Sequence, residues 1–379
     1  MNLLDNMQIN STALNFLRVY ATALVFFCHS TIIAKECFGF HVKDSIPMRL
    51  LFLTPAWGGV WMFLALSGFL AAYGFDSNRY ALDKSGIKKY YKGRIIKVLI
   101  PTWIFISLAY IFNMQDSEVS LSTLLQWLTC TFNGQGAGIE RVGASWYVFI
   151  IMWLYFLTPI LLRLLNMYEK SHQGNELKSL IKLAVIICSI WLLYRIAGTI
   201  IQHVYDHKIY YVWVYANVVA CFDMFFLGII GERIIKYLPA FSEHRIRLYQ
   251  KIALVLLIVI SLTFCGDFKY IQTLYKFAGQ PLFSISTLFL IVVTVNNVGL
   301  KLWRSRFAEF CNTIAPYTFM FYLWHSILLG YVADKMEIEN EYVHYFVILV
   351  IGGILTAYLA YLMTKMNNEV IKTIQKLWS

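Results

Sequence analysis

Asn15–Ser30, NFLRVYATALVFFCHS, is apolar enough to cross a bilayer, yet it carries Arg18 and His29. Ionisable groups inside a membrane are costly and tend to face a bundle interior or a wet cavity. The two are eleven residues apart. At about 100° per residue they are separated by about 1,100°, roughly 20° past three full turns, so both share one helix face about 16 Å apart along the axis. Alone, Arg18 could snorkel to the interface and His29 could be a hydrogen-bonded packing residue. Their shared face weakens both explanations and favours a stripe that lines a common channel.

The other segments extend the same pattern. The chain has 379 residues, 59% hydrophobic and only 14% charged, where a soluble domain carries about a quarter charged residues. Mean hydropathy is +0.61. Apolar runs near membrane-spanning length recur throughout, without the short alternating segments of a barrel. The expected fold is all-α, a single polytopic membrane domain over 1–379. Its ten spans fall at 13–34, 52–75, 95–113, 145–165, 179–199, 212–231, 251–266, 282–299, 314–333 and 343–364. The segment 121–132 is too short to span and reads as an interfacial or re-entrant helix. The first run lacks a preceding basic region and a small-residue cleavage site, so it is expected to be a retained helix. Seven cysteines are scattered singly and read as small hydrophobes.

The net charge of +11 has a topological explanation. Alternate loops and the C-terminal tail carry 19 Lys and Arg, six of them in the loop from Arg79 to Arg94. The opposite loops carry 8: Lys35, Lys43, Arg49, Arg141, Lys208, Lys269, Lys276 and Lys335. The positive-inside rule then places both termini in the cytoplasm. The basic excess therefore gives no reason to expect a nucleic-acid partner. No metal-ligand, Walker or dinucleotide spacing is present, so no metal, ATP or NAD chemistry is expected.

Several residues join Arg18 and His29 as candidates. Ser67-Gly68, in WMFLALSGFLAAYGF, falls at a depth similar to Arg18; small residues there also suit ordinary helix packing. Arg94 and Lys97 lie three apart at the cytoplasmic start of the third span, just before Pro101. They read either as a positive-inside anchor or as a phosphate clamp, since phosphates suit arginine forks and lysine point charges. Trp146 and Tyr147 open the fourth span at the outer interface, where an aromatic belt is expected without any function. Asp223 sits mid-membrane as a candidate to orient a histidine, with Arg195 as its partner or as a substrate contact. Trp324-His325 supplies a second deep histidine at a depth near that of His29.

These pieces, in order, resemble the membrane acyltransferase-3 family of bacterial integral-membrane acyltransferases. The resemblance rests on LRVYATALVFFCH (Leu17–His29), FLALSGFL, GRIIKVLIP, SWYVFIIMWLYFLTPIL, DMFFLGII and NTIAPYTFMFYLWHSIL, and it covers nearly the whole chain. It implies transfer of an acyl group, usually acetyl, from cytoplasmic acyl-CoA to a hydroxyl of an extracytoplasmic polysaccharide or lipid-linked sugar, in a bacterial cytoplasmic membrane. On that reading His29 is the general base, assisted by His325. Arg18, Ser67, Gly68, Arg94 and Lys97 hold acetyl-CoA, and Trp146, Tyr147, Asp223 and Trp324 contact the acceptor. The chain departs from the family in having Asn15-Phe16 where Asp-Gly is common before Leu-Arg, and Lys97 where arginine is frequent. Membrane lipids surround the protein, and a homodimer is compatible with the sequence but not demanded by it. The alternative is a non-enzymatic exporter of a glycan or lipid, although no inverted repeat or paired broken helices are evident.

Overall fold

The computed structural model describes residues 11–42, 45–113, 121–131, 146–204, 214–239, 241–265, 278–294, 299–336 and 338–377. Of the cations counted on the outer side, Lys43, Arg141, Lys208, Lys269 and Lys276 lie outside these residues, as do edges of the fourth, sixth, seventh and eighth expected spans. Among the described residues there are helices and no strands.

The helices are α1 (Ser11–Phe38), α2 (Ile46–Phe52), α3 (Ala56–Asp76), α4 (Lys84–Arg94), α5 (Ile100–Asn113), α6 (Leu121–Leu128), α7 (Trp146–Ser171) and α8 (Glu176–Val204). They continue with α9 (Val218–Tyr237), α10 (Glu243–Thr263), α11 (Gln280–Thr294), α12 (Arg306–Ile314), α13 (Thr318–Lys335), α14 (Glu341–Val347) and α15 (Gly353–Leu377). Each expected span overlaps a helix among the described residues, with shifted bounds. Among the described residues seven are long and apolar enough to cross a membrane: α1, α3, the continuous α4–α5, α7, α8, α10 and the continuous α14–α15. The other three are less clear-cut. α9 carries Asp223, Glu232, Arg233 and Lys236, α11 has only 15 residues, and α13 interrupts its apolar run with Trp324-His325 and ends Asp334-Lys335. The short segment after the third span does form a helix, α6, anchored by the fully buried Trp127.

α3 lies at the centre, against α1, α7, α9 and α11. It carries no charge before Asp76, and a helix apolar all round belongs in an interior. Small residues allow the close approach that drives helix association in lipid. A Cβ at Gly68 would run into the backbone carbonyl of Phe225 on α9, and one at Gly228 into that of Ala65. The periphery is formed by α8 and α15, which expose long apolar side chains such as Leu193, Ile200, Ile354 and Tyr358.

Two groups of ionic contacts tie α9 to its neighbours. At one end, Asp76 of α3 pairs with Lys236 and, at 3.2 Å, with Arg233, while Glu169 of α7 lies 3.8 Å from Arg233. The sequence count places Arg233 and Lys236 among the loop cations. They are helical and largely enclosed, so their charge serves helix association. In the body of the bundle, Arg195 of α8 bonds Asp223 at 2.6 Å, both fully buried. Truncating either partner leaves an uncompensated buried charge, at a cost of about 3–5 kcal/mol. Arg195→Leu and Asp223→Leu should each lower the thermal unfolding midpoint of the detergent-solubilised protein steeply. The double replacement should recover much of that loss, because a buried pair contributes little net stability over apolar residues of similar size. Additive losses in the double variant would contradict this assignment.

Candidate active site

A cavity of about 300 Å³ opens between α1, α3, the α4–α5 junction, α7 and α13. Its lining includes Arg18, Ser67, Arg94, Lys97 and Tyr147. Five of the candidates picked from sequence thus meet around one space. Among the described residues none of the three cations pairs with a carboxylate. Arg18 Nη1 donates at 3.4 Å to the side-chain oxygen of Asn15, and the Asn15 amide in turn donates at 3.0 Å to Asn312. A neutral partner steadies the guanidinium without cancelling its charge. With Asn15 in place of the family's aspartate, the contact to Arg18 is to a neutral amide and not to a carboxylate.

Arg94 is held by aromatic faces. Its guanidinium carbon lies 4.3 Å from the centroid of Tyr155 and 5.0 Å from that of Tyr90, a cation–π arrangement that fixes a charge without an anion. Among the described residues its buried Nε has no hydrogen-bond partner. The residues that follow, Ile95–Leu99, form a π-helical turn in which Ile100 N–H donates to the carbonyl of Ile95. Pro101 explains this locally: it has no N–H to continue the α ladder, and widening the preceding turn absorbs the defect. Lys97 lies within this turn and lines the cavity.

The two deep histidines meet. His29 Nδ1 lies 2.6 Å from His325 Nε2, with the rings 4.9 Å apart and 6° from parallel. The bonding network assigns the protons. His325 Nδ1 is 2.6 Å from the carbonyl oxygen of Tyr322, which can only accept, so that nitrogen carries the hydrogen. In a neutral ring His325 Nε2 is then an acceptor, and it also receives Ser326 Oγ at 3.2 Å. His29 Nδ1 must therefore donate, which leaves the lone pair on His29 Nε2. Among the described residues nothing hydrogen-bonds that atom. The C-terminal part of α1 is held in register by Ser30 Oγ and Tyr345 OH at 3.1 Å, by Thr31 Oγ1 donating to Phe52 O at 2.7 Å, and by Thr54 Oγ1 donating to Leu24 O at 3.0 Å.

The remaining candidates lie elsewhere. Gly68 faces α9 and does not line the cavity. Trp146 is buried against Tyr215, with ring centroids 5.0 Å apart, and so points into the bundle and not outward as a belt residue would. Trp324 packs edge-on against Phe105 at 5.0 Å. Asp223 is committed to Arg195 and contacts neither histidine. Sequence reading misses Phe63, Tyr155 and Tyr322 among the lining residues. Only Tyr322 has a usable signal, lying one helical turn before His325. Among the described residues no cluster of His, Cys, Asp or Glu is suited to a metal ion.

No curated protein and no solved structure matches the chain significantly. A family model described as an acyltransferase domain does match, over residues 11–364, nearly the full length. The histidine pair and the cationic cavity therefore sit in a multi-pass helical protein that belongs to the acyltransferase-3 family.

Proposed function

We infer that the protein transfers an acyl group, most simply acetyl, from cytoplasmic acyl-CoA to a hydroxyl of an extracytoplasmic glycan or lipid-linked sugar. The observation that carries this reading is the pairing of an unprotonated, unengaged His29 Nε2 with a neighbouring cavity that presents three cations without counter-ions among the described residues. Arg18, Arg94 and Lys97 would grip the phosphates of CoA, with Ser67 beside the pantetheine arm. His29 Nε2 would take the proton of the acceptor hydroxyl as its oxygen attacks the thioester carbonyl. The C–O bond forms, the C–S bond breaks, and the proton on His29 passes to the departing thiolate. The distribution of Lys and Arg supports a cytoplasmic donor side, in a bacterial cytoplasmic membrane.

The test uses membrane vesicles from cells expressing the protein, supplied with isotope-labelled acetyl-CoA. Thiol release above that of vector-control vesicles, with label in envelope glycan or lipid-linked sugar, is the expected result. No release and no label would overturn the donor assignment. Within the same assay Arg18→Ala should raise the KM for acetyl-CoA about tenfold or more, the loss expected for a charged hydrogen bond, with a much smaller change in kcat. An unchanged KM would mean that Arg18 only snorkels to the interface.

A further inference from the structure

Within that reading, we propose that Phe63, Tyr147 and Tyr322 form a collar between the cationic cavity and the histidine pair, and that this collar limits the length of the acyl group transferred. The three rings touch one another: centroids are 6.2 Å apart for Phe63 and Tyr147, 6.4 Å for Phe63 and Tyr322, and 5.9 Å for Tyr147 and Tyr322. Each is a terminal cavity-lining residue of its helix, the first in chain order on α3 and α7 and the last on α13. α3 contributes Phe63, Leu66, Ser67 and Leu70; α7 contributes Tyr147, Ile151 and Tyr155; α13 contributes Thr318, Phe319 and Tyr322. On all three helices the aromatic residue stands at the same end of the cavity, and on α13 the next turn brings His325. The Tyr322 ring is 5.8 Å from the His325 ring, and its backbone carbonyl is the group that fixes the His325 tautomer. Neither histidine lines the cavity itself.

A thioester carbonyl must therefore pass these rings to come within reach of His29 Nε2. Tyr147 is fixed on one side by Ser67 Oγ, 3.4 Å from its hydroxyl, and both tyrosines are nearly fully buried. Phe63 is the half-buried member and the natural moving part. An acetyl group adds only a methyl to the carbonyl and can be admitted by rotation of one ring. A longer chain would have to lie between the rings and hold them apart, losing their mutual packing, or fold back into a cavity of about 300 Å³.

The experiment measures thiol release from acetyl-, butanoyl- and octanoyl-CoA in expressing vesicles for the wild type, Phe63→Leu, Phe63→Ala and Phe63→Trp. The readout is the ratio of kcat/KM for each longer thioester to that for acetyl-CoA. This ratio does not depend on how much of a variant is folded. Phe63→Ala should raise the butanoyl-to-acetyl ratio about tenfold or more, the scale on which an apolar pocket distinguishes one or two methylenes. Phe63→Leu should fall between Phe63→Ala and the wild type, and Phe63→Trp should lower the ratio. Turnover by all variants with ratios like that of the wild type would overturn the collar and leave the acyl-CoA reading standing. No release from any thioester by the wild type would overturn both.

Discussion

His29→Ala should reduce acyl transfer by about 100- to 10,000-fold, the range a positioned general base supplies, while leaving the KM for acyl-CoA close to that of the wild type. The split is expected because His29 lies beyond the cavity that presents the cations and touches none of them. The hydrogen-bond chain sharpens the prediction. Tyr322 carbonyl, His325 and His29 are linked in one direction, and the order of protons along that chain leaves His29 Nε2 as a base. The active form is the neutral one, so turnover should fall on acidification and the fall should be reversible. His325 acts through His29 and is a positioning residue. His325→Gln offers an oxygen to receive the His29 Nδ1 proton and should keep more activity than His325→Phe, which offers nothing. Equal losses in those two variants would argue against tautomer control, and wild-type turnover in His29→Ala would end the general-base proposal.

Much of this site is legible in the sequence because helical phase is rigid. Arg18 and His29 fall on one face by arithmetic, and in the structure Arg18 lines a cavity that α13 also lines while His29 meets His325 of α13. The depth match of the two histidines is likewise readable. Sequence alone makes Arg195 a candidate partner for Asp223, because two opposite charges in adjacent spans have few other ways to be buried. The collar is not legible. Aromatic residues make up 17% of the chain, so Phe63 and Tyr322 have no contrast against that background, and Tyr147 looks like interfacial belt. Trp146 illustrates the same ambiguity from the other side, since it fills the interior. The π turn at Ile95–Leu99 is hidden as well: Pro101 announces a defect in the ladder but not which turn absorbs it. A charge count treats Arg233 and Lys236 as loop cations because sequence cannot tell a solvated helix end from one covered by Asp76 and Glu169.

Gly68→Ala should destabilise the protein by about 3 kcal/mol or more, the upper range of an overpacked site with no room to relax, and should deplete the folded fraction recovered in detergent. Helix propensity alone predicts the opposite, since replacing a mid-helix glycine by alanine favours the helix by about 0.5–1 kcal/mol. Packing decides the sign. The methyl group would collide with the Phe225 backbone carbonyl, and neither backbone can yield without separating α3 from α9, the crossing on which the central helix depends. Gly93→Ala on α4 is the matched control: the added carbon would meet only Tyr80 Oη at 3.5 Å, an ordinary contact, so this variant should be neutral or slightly more stable. The pair of measurements also separates two roles for Gly68. If it mattered chiefly as an open space beside the pantetheine arm, alanine would raise the KM for acyl-CoA in a protein of normal stability. Since Gly68 points at α9 and is absent from the cavity lining, stability should fall first, and whatever folded fraction remains should bind acyl-CoA like the wild type. A stable Gly68→Ala protein with weakened acyl-CoA binding would return this glycine to the donor site.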